Sequence, residues 1–451
     1  MKPFITITIN TDGLLAELHE LAAISDCPEP PPAVTRVVFT PTDLRARAYL
    51  RTLYEAAGLR VHEDAVGNTF ARWQGSDPDA AAVGTGSHCD AIPHAGMYDG
   101  TVGVLGGLEA IRALERSGYQ PRRSVDVIMF TSEEPTRFGV GCTGSRLMSG
   151  AMSPAELIGL VDDTGTDYDT IRQQAGFAGE LASARLSDNP YSAFVELHIE
   201  QGPELEKLLI AAQQVNGGRP TGARTTAQEL QPQDSFTAQT SKMMIGAVTA
   251  IAAPATVLFT VTGEGGHAGA VLMPGRRDAL AAAAQMAVAI ESIARQSPSQ
   301  DLVATIGQVE VYPGAVNSIP SRVRFPLDLR DTGGENRDQI LAEILAAVGR
   351  IAAERGVTIE HEVLNADPPA ACDPRLVRTI TAAASRLGHA STTMISRAYH
   401  DSLFMARVAP TAMIFIPCRG GVSHRPDEYA SPEAIGAGVA TLALTLAELA
   451  E

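Results

Sequence analysis

Apolar and polar residues follow one another in this chain in two distinct styles, and the change of style divides it. Residues 12–23 and 41–57 carry apolar side chains at three- and four-residue spacing, which predicts helices; residues 59–63 and 69–73 read as strands on either side of Gly67-Asn68, a turn signal. Four continuous apolar runs follow, each stopping at a polar cluster: 80–87 before His88, 124–132 before Glu133, 191–197 before His198, and 410–417 before Gly420 to His424. Helix-like segments, notably 103–117, separate or follow these runs. Continuous apolar runs interleaved with helices predict an α/β fold with a mostly parallel sheet covered on both faces. Ligands bind such sheets beyond the carboxyl ends of the strands.

From about Val248 the order becomes strand 256–262, helix 274–294, strands 302–311 and 321–330, helix 335–355 and strand 357–363. That βαββαβ arrangement is a complete small domain. The first style resumes only after Asp367-Pro368-Pro369, so the small domain is inserted: residues 1–245 and 366–451 form the larger domain and 246–365 the smaller, with hinges near Gly246 and Asn365. Residues 211–241, rich in Gln, Thr and Gly and without a sustained period, predict a loop that belongs to neither core.

Composition narrows the function. With 451 residues, 45% of them hydrophobic, the chain can bury a large core. Its net charge of −17 comes with no basic block, which excludes a surface built to follow nucleic-acid phosphates. Apolar stretches are broken well short of a bilayer span, and the first residues lack the order of a signal peptide, so no membrane association and a cytoplasmic location are expected. The five cysteines (Cys27, Cys89, Cys142, Cys372, Cys418) are scattered without a C-x-x-C pair, which argues against a disulfide framework or zinc finger and fits a reducing compartment.

The candidate chemistry sits where the four apolar runs stop. His88 and a carboxylate from the following loop, Asp99, can share a divalent ion, and Asp90 can accept the other imidazole N–H of His88. Glu133 and Glu134 place two like charges at one strand end; near a metal, one can bind it while the other holds and deprotonates water. His198 and His424 occupy the same position on two further strands. Three histidines and two carboxylates, one of them bridging, suit a pair of Mn²⁺ or Zn²⁺ ions, and the oxygen-rich set tilts toward Mn²⁺. Cys89 is expected to be a buried apolar filler, because neighbouring strand residues face opposite ways. Gly139-Val140-Gly141-Cys142-Thr143-Gly144 spells a dinucleotide-binding fingerprint, but Glu133 to Phe138 separate it from the preceding strand, so an NAD-dependent oxidoreductase is disfavoured.

The segments GSHCDAIPHAGMYDGTVGVLGGLEAI, MFTSEEPTRFGVGCTGSRL, VELHIEQGP, GGHAGAVLMPGRRDA, AVNSIPSRVRFPLDLRD and HDSLFMARVAPTAMIFIPCRGGVSHRPDEYASPE resemble, in order and over nearly the whole chain, the amidase branch of the aminoacylase and carboxypeptidase metallopeptidases. That branch contains allantoate amidohydrolases, N-carbamoyl-L-amino acid hydrolases, β-ureidopropionases and ureidoglycolate amidohydrolases, and VTAIAAPA, GGHAGAVLMP and MISRAYHDSLFMAR are most similar to the plant-type ureidoglycolate group. The resemblance implies a homodimeric amidohydrolase of purine catabolism whose inserted domain serves as lid and dimerisation domain. It implies His88, Asp99, Glu134, His198 and His424 as metal ligands, with Asp99 bridging, and Glu133 as general base. It implies Asn317 and Arg330 as holders of the substrate carboxylate and His267 as a contributor to the partner subunit's site. Gln201, Tyr399 and His400 match pocket-lining positions. Relatives cross from the GPELE-like motif to the IGAVT-like hinge in a few residues, whereas here 207–244 intervene. Plant members also carry an N-terminal targeting extension that this sequence lacks.

Overall fold

The computed structural model describes residues 6–27, 29, 33–187, 190–217 and 243–451. Two compact units divide them: Met1–Thr249 with Cys372–Met394 and His400–Glu451, and Ala250–Ala371 with Ile395–Tyr399. The first unit opens with α1 (Thr11–Ala23), β1 (Val34–Arg36), α2 (Pro41–Ala56), β2 (Arg60–Glu63) and β3 (Thr69–Trp73). Both helices start where the sequence supplies a cap: the Asn10 side chain accepts from Gly13 N, and Thr40, followed by Pro41, accepts from Asp43 N. Next come β4 (Ala82–His88), β5 (Ala91–Ala95), α3 (Thr101–Arg116) and β6 (Val125–Phe130), then three short helices, α4 (Thr143–Ser149), α5 (Pro154–Ile158) and α6 (Tyr168–Gln174). β7 (Tyr191–Ile199), α7 (Glu204–Gly217) and β8 (Met244–Ile251) close this stretch.

The second unit is built from β9 (Ala253–Thr262), β10 (Gly266–His267), α8 (Ala279–Arg295), β11 (Val303–Thr305), β12 (Glu310–Tyr312), β13 (Ser318–Ile319), β14 (Arg322–Asp331), α9 (Gly334–Arg355), β15 (Thr358–Ala366) and β16 (Ala370–Ala371). The chain then returns to the first unit through α10 (Pro374–Arg386), β17 (Ala390–Ser396), α11 (Asp401–Met405), β18 (Thr411–Ile416) and α12 (Pro432–Leu449).

The large sheet runs β16-β8-β18-β7-β4-β6-β3-β2, with β17 on β8. Its centre, β18-β7-β4-β6, is parallel, and the pairs flanking that centre, β8 with β18 and β6 with β3, are antiparallel. The expected parallel arrangement holds at the centre, and antiparallel pairs flank it, so the sheet as a whole is mixed. A short turn at Asp64 to Asn68 joins β2 to β3 as a hairpin, and parallel neighbours need the long crossovers found only at the centre. Every residue of β4, β6 and β18 is buried, as continuous apolar runs require. α3 and α12 pack on the central strands. By length and composition α12 could cross a membrane (mean hydropathy 1.2), contrary to the expectation that no stretch would; here it is a core helix against α1, α3, α10 and β18.

In the second unit β9 is the spine, antiparallel to β14 and β15, while β11 and β12 pair with β14. Val323, Phe325, Leu327 and Leu329 alternate inward along β14 toward Val257, Phe259, Met286, Ile344 and Val348. The intervening Arg324, Asp328 and Arg330 therefore share the opposite face.

Three expectations are corrected. The strand at 302–311 is two short strands, broken between Thr305 and Glu310 where Gly307 interrupts the pairing. The helix expected from Pro274 starts at Ala279, because Gly275 adopts φ +87° and Asp278 caps the N–H groups of Leu280 and Ala281. Residues 211–217 continue α7, carried by helix-favouring Ala and Gln; residues 218–241 of the expected loop lie outside the described residues. Gly246 itself sits inside β8, where a Cβ would meet Met394 Sδ at 2.5 Å, and the units divide just beyond it, between Thr249 and Ala250.

Candidate metal centre

The order β18-β7-β4-β6 sets four strand ends side by side. His88 ends β4, His198 lies at the end of β7, Glu133 and Glu134 follow β6, and His424 lies beyond β18. All but His424 are buried. Asp99 precedes α3, next to Gly100, whose φ is +66° and whose missing Cβ would come within 2.5 Å of the His88 ring. A side chain there would displace the histidine.

Asp99 is the hub. Its Oδ1 is 3.1 Å from His198 Nε2 and 3.6 Å from His88 Nε2, while Oδ2 is 3.3 Å from His424 Nε2, itself 3.5 Å from Glu134 Oε1. Two groups thus share one carboxylate: His88, Asp99 and His198, and Asp99, Glu134 and His424, each with donor atoms within 4.8 Å of one another. His88 Nδ1 lies 2.9 Å from the Asp90 carbonyl and His198 Nδ1 2.8 Å from the Ile199 carbonyl. Each Nδ1–H donates there and leaves Nε2 toward Asp99, the tautomer that ligates metal.

Electrostatics point the same way. Burial alone would raise Asp99, but the facing imidazoles of His198, His424 and His88 hold it well below the usual carboxylate range. Asp99 in turn draws a proton onto His424, raising it to about 9. Burial pushes Glu134 up to about 7, helped by Asp99, and raises Glu133 well above its ordinary value against the pull of His88. Negative charge gathered in a buried place, matched only by imidazoles, fits divalent cations. Gln201 adds an orphan: Nε2 donates to Asp99 Oδ2 at 2.7 Å while Oε1 is buried without a hydrogen-bond partner.

Residues 58–448 match the peptidase family M20/M25/M40. The chain belongs to this family. Within it, the chain is 46% identical over 98% of its length to a ureidoglycolate hydrolase from Oryza sativa subsp. japonica, covering 85% of that protein. The crystal structure of AtUAH in complex with glyoxylate superposes with a TM-score of 0.84 at 45% identity, covering 98% of both chains. That of AtUAH with (S)-hydroxyglycine gives 0.84 at 44% identity, with 98% coverage of both. A chain of the M20/M25/M40 family with this cluster is a hydrolase with residues able to hold metal.

Asp90 departs from its expected part. Its backbone carbonyl, not its carboxylate, holds the His88 ring; the carboxylate accepts from the backbone N–H groups of Glu133 (3.3 Å) and Glu134 (3.0 Å), fixing the turn that presents both acids. The alternation of strand residues stops at His88, so Asp90 is free to turn toward β6. Glu133 Oε2 lies 3.6 Å from His88 Nε2. Cys89 is fully buried with its thiol pushed up to about 12, a filler and not a nucleophile. The glycine-rich 139–144 segment backs this turn: Cys142, Thr143 and Gly144 donate N–H groups to the carbonyls of Glu133, Ser132 and Thr131.

His400 is buried, its ring centred 4.5 Å from that of His198, and Tyr399 is half-buried. His267, Asn317 and Arg330 lie in the second unit. His267 on β10 is exposed, its Nδ1 accepting from Gly269 N, and the Asn317 carbonyl accepts from Ala268 N, so these two neighbour each other. Arg330 is held by both Asp328 oxygens at 2.8 and 2.9 Å and donates to the Arg397 carbonyl.

Sequence reasoning missed the supports. Glu428 Oε1 accepts from the N–H groups of Tyr98 and Asp99, and its Oε2 is 2.9 Å from Ser423 Oγ, which is also 2.9 Å from Asp99 Oδ2. Ser423 Oγ thus bridges the two carboxyls, and burial and Asp99 push Glu428 up to about 7. Glu196 accepts from Ser87 and Ser402 beneath His198. Asp401 accepts from Ser145, leaves Oδ2 buried without a partner, and is pushed up to about 8 by burial and Glu196. An acid inside the apolar run of β7 was the one available signal, for Glu196.

Proposed function

We propose that this protein hydrolyses (S)-ureidoglycolate in purine catabolism. Cleavage of the terminal C–N bond by water gives ammonia and a carbamate; the carbamate loses CO₂ to leave hydroxyglycine, which decays to glyoxylate and a second ammonia. The observation that carries the proposal is Asp99 facing two separate donor groups beside Glu133, in a chain 46% identical to a ureidoglycolate hydrolase. A similar protein crystallised with hydroxyglycine and with glyoxylate, two compounds of this scheme, adds support.

His88, Asp99 and His198 would hold one divalent ion, and Asp99, Glu134 and His424 a second, Mn²⁺ in preference to Zn²⁺. When bound, such ions supply Lewis acidity to the ureido carbonyl and acidify water. Glu133, buried and held by the Asp90 clamp on its backbone, takes a proton from the attacking water and passes it to the leaving nitrogen. Arg330 receives the substrate carboxylate with its planar guanidinium, and Asn317 adds an amide donor. Gln201, Tyr399 and His400 shape the pocket, and Tyr399-His400 favours a compact hydroxy acid over allantoate. His267 serves the partner subunit of a homodimer, to which its exposure is suited, and the second unit acts as the lid.

A panel of ureidoglycolate, allantoate, N-carbamoylglycine and β-ureidopropionate, assayed for ammonia with Mn²⁺, tests this. Ureidoglycolate should have the highest kcat/KM. Faster turnover of allantoate or N-carbamoylglycine would move the substrate assignment to another group of the same branch.

A further inference from the structure

Cys27, Glu29 and His94 form another metal-compatible group in the first unit, apart from the strand-end cluster, with one donor atom from each within 4.8 Å of the others. Cys27 Sγ lies 3.6 Å from His94 Nδ1. A tetrahedral Zn²⁺ bound to thiolate sulfur at about 2.3 Å and imidazole nitrogen at about 2.0–2.1 Å sets those atoms roughly 3.5 Å apart. The pair already stands at ligand separation.

The backbones bearing them are fixed to one residue of β1. Ser25 Oγ accepts from Cys27 N at 3.0 Å and Thr35 N at 2.9 Å, Asp26 N donates to the Thr35 carbonyl at 2.9 Å, and Thr35 Oγ1 accepts from His94 N at 3.0 Å. Pairing of β1 with β5, Val34 opposite Ala95, also holds Thr35 beside the strand that bears His94. Such preorganisation lowers the cost of gathering ligands. Cys27 is partly exposed and Glu29 and His94 are exposed, so an ion can reach all three.

The geometry points to a surface Zn²⁺ site formed by Cys27, His94 and Glu29, with solvent in the fourth position. A thiolate ligand selects Zn²⁺ over Mn²⁺, so the site differs in kind from the oxygen- and nitrogen-only cluster around Asp99. On binding, Zn²⁺ takes the thiolate and the thiol proton leaves to solvent. The ion ties the segment at Cys27 to β5, which leads directly into the turn that carries Asp99. A bare S–H···N hydrogen bond would explain the Cys27–His94 distance but gives Glu29 no part.

Co²⁺ titration of the Mn²⁺-loaded protein tests the site, because thiolate-bound Co²⁺ has a near-ultraviolet sulfur-to-metal absorption that a site of histidines and carboxylates lacks. One equivalent should develop that band in the native protein and none in Cys27→Ser. His94→Asn, which tolerates the left-handed backbone at this position (φ 58°), should weaken binding at least about tenfold. Zn²⁺ should raise Tm by about 2–4 °C in the native protein only, with turnover of Cys27→Ser unchanged. Absence of the band at saturating Co²⁺, or its persistence in Cys27→Ser, overturns the assignment.

Discussion

The strand ends of the first unit and the polar face of the second assemble functional groups by opposite means. Around Asp99, three histidines and Glu134 meet within 4.8 Å groupings with Glu133 3.6 Å from His88, and burial pushes both glutamates upward. In the second unit His267 and Asn317 are exposed, and Arg330 is a strand residue already neutralised by Asp328. The first arrangement stores unbalanced charge, which suits holding ions and moving protons. The second offers polar groups at little electrostatic cost, which suits grasping a substrate and letting it go. Loss of a residue in the first should abolish chemistry or metal, whereas loss in the second should weaken substrate capture and leave the metal in place.

The sharpest break of that contrast is Glu133→Gln. It should keep bound metal and fold while kcat falls by about 10²–10⁴, the usual contribution of a general acid–base group. Metal analysis beside a turnover assay checks it, and a variant within about tenfold of native would reject the role.

Metal uptake should come next in size. Without ions, His424 holds its proton up to about 9, and the proton must leave before the ring can ligate. Affinity for Mn²⁺ should therefore rise with pH, roughly tenfold per unit from about 7 to 9, and flatten above. Proton release measured during Mn²⁺ titration in weak buffer gives the same answer; uptake without release would contradict it.

Arg330→Ala should lower kcat/KM for carboxylate substrates roughly 10–100-fold, mostly through KM, as loss of charged hydrogen bonds of ~1.5–3 kcal/mol implies. Bound metal should be unchanged. Arg330→Lys should recover only part, lacking the planar fork.

What the sequence disclosed follows from locality. The four apolar runs announced their own strand ends, so His88, Glu133, Glu134, His198 and His424 could be named without coordinates. Glu428 could not: it stands between Asp427 and Tyr429 in a polar loop, and its partners Tyr98 and Asp99 are 330 and 329 residues away. Asp90 was placed near its histidine, but which of its oxygens does the holding depends on how β4 and β6 sit side by side. The two-strand break at Gly307 and the mixed sheet were hidden for the same reason, since pairing partners decide where a strand stops.

The smallest effect concerns Asp401. Its folded value, about 8, lies above the ordinary carboxylate value near 3.8, so the native state binds an extra proton between them. Its stabilising contribution is complete below about 4 and is lost as pH rises toward 8. Asp401→Asn keeps an acceptor for Ser145 and removes that loss, so its stability relative to native should rise between pH 5 and 8. Denaturant melts at both pH values check the sign.

The most direct test follows ammonia release from (S)-ureidoglycolate while chelator-stripped protein is reloaded with Mn²⁺ and the bound ions are counted. Release should be absent from the stripped protein and grow with occupancy until two ions are bound per chain. Undiminished release from stripped protein would contradict the assignment of the Asp99 cluster as the catalytic centre.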